Sequence, residues 1–230
     1  MKSAFFRGLF DSLSIAVGYV PVAISFGLSA VYADIAPWIA VLISVLVYAG
    51  ASQFILVSLV ASGSGALSVV GIVLLMNLRH CFYGPVLMSR FNDAPRQLPV
   101  FVMAAGLTDE VFATAISKLD RQPAPEREHW YVGLQLGAYL SWVGGTAIGA
   151  FFGHDMLQGS PLLAQTAGFV LPALFFALLL EIRQLVPHLL LAGAALATVG
   201  ASLVLPPYGA VIVGMLTGSL LGLRRRIGAK

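Results

Sequence analysis

From Leu13 to Leu223 the chain is a succession of apolar runs, most about long enough to cross the hydrocarbon of a bilayer, with short polar segments between them. In that solvent each backbone N–H and C=O has to be satisfied within the chain, which a helix does on its own. Only 10% of the residues are charged and 59% are hydrophobic, which leaves no room for a separate soluble domain. The expected fold is therefore an all-α polytopic membrane protein, a single transmembrane domain over residues 1–230. About eight helices are expected, at 13–33, 38–61, 67–88, 99–117, 130–152, 162–180, 186–205 and 208–223, some of them interrupted by Gly or Pro. Seven spans, or a re-entrant second and third segment, also fit. The polar segment 118–129 divides the chain into two halves.

The net charge of +3 comes from basic residues at segment ends, a pattern that orients a membrane protein and does not point to nucleic acid. In an eight-span arrangement with both termini cytoplasmic, Lys2, Arg7, Lys118, Arg121, Arg127, Arg183 and the Arg224–Arg226 cluster lie inside. Only Arg90 and Arg96 then lie outside. The apolar start with Lys2 and Arg7 reads as an uncleaved first helix. Cys81 is the single cysteine, so no intrachain disulfide forms.

Against this apolar background the polar residues stand out. Arg79 sits near the middle of the third run, where a charge costs roughly 2.5–3.5 kcal/mol unless paired or hydrated. On a helix it shares a face with Tyr83, and Asn77, His80 and Gly84 share a neighbouring one. Gly84-Pro85 is expected to bend or break that helix. The fourth run carries Asp109 and Glu110 side by side, with Gly106, Glu110, Thr114 and Ser117 forming a stripe expected to turn Glu110 inward. Equal depth in consecutive helices makes the acids partners for Arg79, as a structural pair or as a site receiving a zwitterion. In the second run Ser44, Tyr48 and Ser52 form a polar stripe beside Gln53, which needs a hydrogen-bond partner at that depth. In the first run Asp11, Ser14, Gly18, Pro21, Ser25 and Ser29 share a face, read as a packing seam or as a path wall kinked at Pro21. Small residues recur every fourth position in the fifth run, including Gly137, Gly145 and Gly149, and again in the last run at Gly214 and Gly218. These are faces for close helix approach, within the chain or to a partner subunit.

No zinc, nucleotide or nucleophile-elbow motif occurs, so no metal, cofactor or enzymatic chemistry is expected. With no nucleotide site, transport would run on a gradient, with Glu110 or Asp109 carrying a proton. A membrane assembly factor, or a channel or carrier for another small solute, is the alternative.

Four stretches carry a resemblance. Gly18-Tyr19-Val20-Pro21 with Phe26-Gly27, Tyr48 to Phe54, Asn77-Leu78-Arg79-His80 with Tyr83-Gly84, and Thr108-Asp109-Glu110 are similar in order and spacing to the AzlC family, the large subunits of bacterial branched-chain amino acid exporters. The resemblance is close over the first half. It implies an inner-membrane exporter of branched-chain or similar aliphatic amino acids, working with a small membrane subunit of the AzlD type. The residues read from type and spacing as lining a substrate and ion path are Arg79, Asp109, Glu110, Asn77, His80, Tyr83, Ser52, Gln53 and Pro21.

Overall fold

The computed structural model describes residues 2–78, 80–91, 95–158, 187–205 and 207–228; the expected sixth helix lies outside these. Every element among the described residues is helical. The chain falls into two compact units, Met1–Leu171 and Pro172–Lys230, and the polar segment 118–129 lies within the first.

The first unit is organised around one long helix. Nine α-helices are described in it, besides three short 3-10 turns: α1 (Lys2–Asp11), α2 (Leu13–Tyr32), α3 (Pro37–Leu46), α4 (Gly50–Ala61), α5 (Ala66–Asn77), α6 (His80–Met88), α7 (Val100–Ala105), α8 (Asp109–Lys118) and α9 (Arg127–Gln158). α9 packs along α1 and α2 and also meets α3, α7 and α8. The glycines of α9 make the close approach possible. A Cβ on Gly133 would collide with the Phe5 carbonyl of α1, and one on Gly149 with the Ile24 carbonyl of α2. Gly8 and Gly27 answer them from the other side, against the carbonyls of Trp130 and Thr146. Gly137 meets Ser12, and Gly145 meets Ala23 and Val20. This face is occupied within the chain, so a partner subunit has no access to it.

Among the described residues three segments are long and apolar enough to cross a membrane: Leu13–Tyr32, Ala66–Phe91 and Ala124–Gly153. The expected second helix is instead two short ones. α3 ends at Leu46 and α4 begins at Gly50, with Tyr48 between them at a positive φ of 39°. The expected continuous stripe Ser44–Tyr48–Ser52 is therefore broken at its middle member. The fourth helix is broken too, into α7 and α8, at Gly106–Thr108. In the third, α5 ends at Asn77, and α6 runs through Gly84 and Pro85, where a break was expected. Likewise α2 continues through Pro21 without a break.

At one end of the unit ion pairs join the helices. Lys118 Nζ at the end of α8 lies 2.6 Å from Asp11 Oδ1, and Trp130 Nε1 donates to Asp11 Oδ2 at 2.9 Å. Arg7 pairs with Glu126, and Arg90 with Asp120, which also meets Arg127; Arg90 therefore lies at the same end as Arg7 and Lys118, and not on the opposite side as the eight-span arrangement had it.

In the second unit, the helices His188–Ser202 and Pro207–Gly228 pack together, Gly214 against Thr198 and Gly218 against Ala194.

Candidate functional site

A broken helix exposes backbone groups that its own turns no longer satisfy, and in hydrocarbon each needs another partner. Side chains of α9 supply several. Gln135 Nε2 donates to the Met103 carbonyl in the last turn of α7, at 2.7 Å. Tyr139 Oη donates to the Val45 carbonyl in the last turn of α3, at 3.2 Å. At the start of α8, Thr108 caps the helix: its hydroxyl accepts from Val111 N–H at 3.4 Å. Asp109 and Glu110 then occupy the first turn, where the positive end of the helix dipole favours acids. The two carboxylates are thus not in mid-helix, as a continuous fourth span would have them, but at a helix start opened inside that apolar segment.

Each acid is held by a different neighbour. Tyr19 Oη of α2 donates to Glu110 Oε2 at 2.6 Å and lies 2.7 Å from Thr108 Oγ1. A hydroxyl has one proton, so with Tyr19 donating to the carboxylate, Thr108 donates to Tyr19. Tyr83 Oη of α6 donates to Asp109 Oδ1 at 2.7 Å, and its ring stacks on Phe112 one turn along α8, with centroids 4.5 Å apart. The buried side of α8 is Val111 and Ala115, continued by Leu119 just beyond it, whereas Glu110 and Ser117 are exposed. This corrects the inward-facing stripe expected for Glu110: Thr108 and Tyr19 around it are buried, and its carboxylate has an open side.

A second network holds the α3–α4 break. Trp142 Nε1 donates to Gln53 Oε1 at 2.9 Å, Gln53 Nε2 donates to Ser44 Oγ at 2.9 Å, and Ser44 Oγ is 2.7 Å from Thr146 Oγ1. Gln53, Ser44 and Thr146 are fully buried. Gly50 is needed here because a Cβ would come within 2.9 Å of the Trp142 ring. That ring also meets the Tyr19 ring edge-on, at 5.1 Å and 76°. Tyr19 and Trp142 therefore connect the break beside Glu110 to the break beside Gln53.

The sequence-predicted residues divide accordingly. Asp109, Glu110 and Tyr83 come together, and His80 places its ring 5.7 Å from that of Tyr83. Ser52 shares its hydroxyl proton between the Ala49 carbonyl at 2.9 Å and Asn77 Oδ1 at 3.1 Å, tying α4 to the end of α5. Gln53 is committed to Trp142 and Ser44. Pro21 lies on the exposed side of α2, and Tyr19 is the residue of that helix that reaches the acids. Arg79 lies outside the described residues. Tyr19, Thr108, Gln135, Tyr139, Trp142 and Thr146 were not anticipated as site residues. One signal was available: Gly106, then Thr108-Asp109-Glu110, is a helix-start pattern of cap followed by acids.

Helices broken within apolar segments, with acids and tyrosines at the break, are the construction of a transport protein embedded in a membrane. The AzlC protein family matches residues 14–156 of this chain. Over 223 residues the chain is 40% identical to the inner membrane protein YgaZ of Escherichia coli (strain K12), covering 96% of this chain and 91% of that one. It is 38% identical over 180 residues to an uncharacterized membrane protein of Archaeoglobus fulgidus, covering 78% and 76% of the two chains. With the branched-chain amino acid transport protein AzlC of Bacillus subtilis (strain 168) it shares 26% identity over 185 residues, 77% of this chain and 68% of that one. No solved structure matches. The chain belongs to the AzlC family: it is a membrane protein, helical in the elements described, with a role in transport.

Proposed function

We propose that this protein exports branched-chain or similar aliphatic amino acids across the cytoplasmic membrane in exchange for protons. The observation that carries the reading is the placement of Asp109 and Glu110. Two carboxylates stand at a helix start inside an apolar segment, each fixed by a tyrosine from a different helix. An acid in that setting suits a cationic group or a proton. The relative named as a branched-chain amino acid transport protein supports the substrate class.

The two acids take different parts in this reading. Glu110, with its open side, receives the ammonium group of the substrate. Asp109, half-buried and bonded to Tyr83 of α6, carries the proton. Arg79 enters by residue type, as the cation that meets the substrate carboxylate. A small hydrophobic subunit of the AzlD type completes the transporter, docking away from the glycine face of α9 that α1 and α2 cover. The gathering of Arg7, Arg90, Lys118 and Arg127 at one end of the first unit supports a cytoplasmic N-terminus, and the Arg224–Arg226 cluster a cytoplasmic C-terminus.

The test is efflux from vesicles reconstituted with the protein and the small subunit and loaded with labelled leucine, valine or isoleucine. Saturable efflux that an imposed pH gradient drives uphill is expected. Non-saturating flux would indicate a channel, and no flux at all an assembly role; either overturns the proposal.

A further inference from the structure

Each of the two broken segments begins and ends at the same end of the first unit. α1–α2 and α9 run parallel, since Gly8 meets Trp130 at one end and Gly153 meets Leu28 at the other. Just before α7, the Gln97 and Leu98 N–H groups both donate to Glu128 Oε2 in the first turn of α9, at 2.9 and 2.7 Å. The chain then reaches Gln135 through the Met103 carbonyl and Tyr19 through Thr108, and returns to Lys118, 2.6 Å from Asp11. α3–α4 does the same from the other end. α3 follows the end of α2 after a short turn and runs back along α9, Ser44 meeting Thr146 and the Val45 carbonyl meeting Tyr139. α4 reverses again, with Gln53 at Trp142 and Phe54 edge-on to Phe26 at 5.4 Å. α5 then returns along α4, Leu59 packing with Val69 and Ile72, and α6 continues to the ion pair of Arg90. With 10 and 12 residues, α3 and α4 are about 15–18 Å long, half the thickness of the hydrocarbon, and α7 and α8 are no longer than these.

The spans preceding the two segments run in opposite directions and echo each other. Tyr19-Val20-Pro21 in α2 matches Tyr83-Gly84-Pro85 in α6, and Ala49-Gly50-Ala51-Ser52 at one turn matches Ala105-Gly106-Leu107-Thr108 at the other. The turns lie at one level. On one side, the Trp142 ring covers Gly50 and meets the Tyr19 ring, whose hydroxyl reaches Thr108 and Glu110. On the other, α5–α6 holds both: Asn77 Oδ1 accepts from Ser52 at 3.1 Å, and Tyr83 donates to Asp109 at 2.7 Å. Irregular backbone at membrane depth is tolerated only where protein buries it or water reaches it, and Glu110 is exposed at this level. Hairpins inserted from opposite faces leave the layer between their turns as the barrier, and each can shift at its own face without drawing a span through the membrane. We propose that α3–α4 and α7–α8 are re-entrant hairpins entering from opposite faces, and that the substrate crosses between their turns, past Ala51 on one and Leu107 on the other. The topology stands by itself; the path rests on the transport reading given above.

The test places single cysteines in a Cys81→Ser protein and labels them with a membrane-impermeant maleimide in right-side-out and inverted membrane vesicles. Ser3→Cys marks the N-terminal face. Gln97→Cys should label from the same face as Ser3→Cys, and Ser62→Cys from the opposite one. Uninterrupted second and fourth spans would exchange the two, and that result overturns the hairpins and the path between them. Should either variant fail to insert, Arg96→Cys and Ser64→Cys take their places. The path is read separately, from the rate at which a small methanethiosulfonate modifies Ala51→Cys and Leu107→Cys, both half-buried positions, in vesicles that export leucine. Near-saturating leucine is expected to slow both about 10-fold, as bound substrate covers them. Protection of neither, or of one alone, overturns the path and leaves the hairpins to the sidedness result. Absence of leucine efflux from the wild type removes the transport reading, and the path with it, while the maleimide labelling still decides the topology.

Discussion

Tyr19 Oη lies 2.6 Å from Glu110 Oε2, joining the middle of α2 to the first turn of α8 across 91 positions of sequence. The same oxygen is 2.7 Å from Thr108 Oγ1, so one phenol fixes both the carboxylate and the residue that caps its helix. The acid's position thus depends on a side chain from the helix before the first break.

Replacing Tyr19 by Phe removes that link and leaves Thr108 without its acceptor. The expected cost is about 1–3 kcal/mol, read as a lower unfolding temperature. Export should fall by more than the loss of folded protein explains, since Glu110 is no longer held. A Tyr19→Phe protein with wild-type export per folded molecule would show that Glu110 is positioned without it.

Gln53 is the centre of the buried network at the α3–α4 break, and its role there is structural. Gln53→Leu strands the Trp142 N–H and frees Ser44 from one donor, with an expected loss of about 2–4 kcal/mol across the two broken bonds. Trp142→Phe alone strands the Gln53 carbonyl. The double variant should lose less than the sum of the singles, because the shared bond can be lost only once. Strictly additive losses in thermal or denaturant unfolding would count against a coupled network.

How much of this was legible in the sequence differs from helix to helix. The apolar run at 13–33 corresponds closely to α2, and that at 130–152 lies inside α9, because each is one unbroken helix whose hydropathy sets its ends. The runs at 38–61 and 99–117 hide breaks. Val47, Tyr48 and Ala49 are as apolar as their neighbours, so hydropathy sees one span where the backbone makes two. What holds the break is remote: Tyr139, Trp142 and Thr146 lie some ninety or more positions away. Pro21 drew attention as a helix breaker, yet a proline on an exposed helix face can be accommodated, and it was Tyr19, two residues earlier, that pointed at the acids. The polar residues themselves were readable as costly; which acid faced which partner was not, since that depends on where α8 begins.

The glycines of α9 allow a test within one helix. Gly149→Ala brings a methyl against the Ile24 carbonyl, whereas at Gly144 a Cβ meets nothing within 4 Å. Gly149→Ala should force α2 and α9 apart at about 1–3 kcal/mol and lower the yield of folded protein. Gly144→Ala should be neutral or slightly stabilising, since alanine is the better helix former. Equal behaviour of the two variants in thermal unfolding would contradict the close α2–α9 packing.

The last prediction separates the two acids. Asp109 and Glu110 are adjacent in sequence, but Tyr83 of α6 holds one and Tyr19 of α2 the other. If Asp109 carries the proton and Glu110 the substrate, their neutral isosteres should fail differently. Asp109→Asn keeps a group that accepts from Tyr83 but can no longer gain or lose a proton. Leucine affinity should stay within about 3-fold of wild type, and exchange of labelled for unlabelled leucine across vesicles should continue. Uphill export driven by a pH gradient should stop, because no proton moves with the substrate. Glu110→Gln removes the charge that pairs with the ammonium, a charge-assisted contact stronger than a neutral hydrogen bond. It should lose leucine binding, and with it both exchange and uphill export. Measuring all three quantities on both variants is decisive: if Asp109→Asn and Glu110→Gln show the same pattern, the acids share one task and the division between them is wrong.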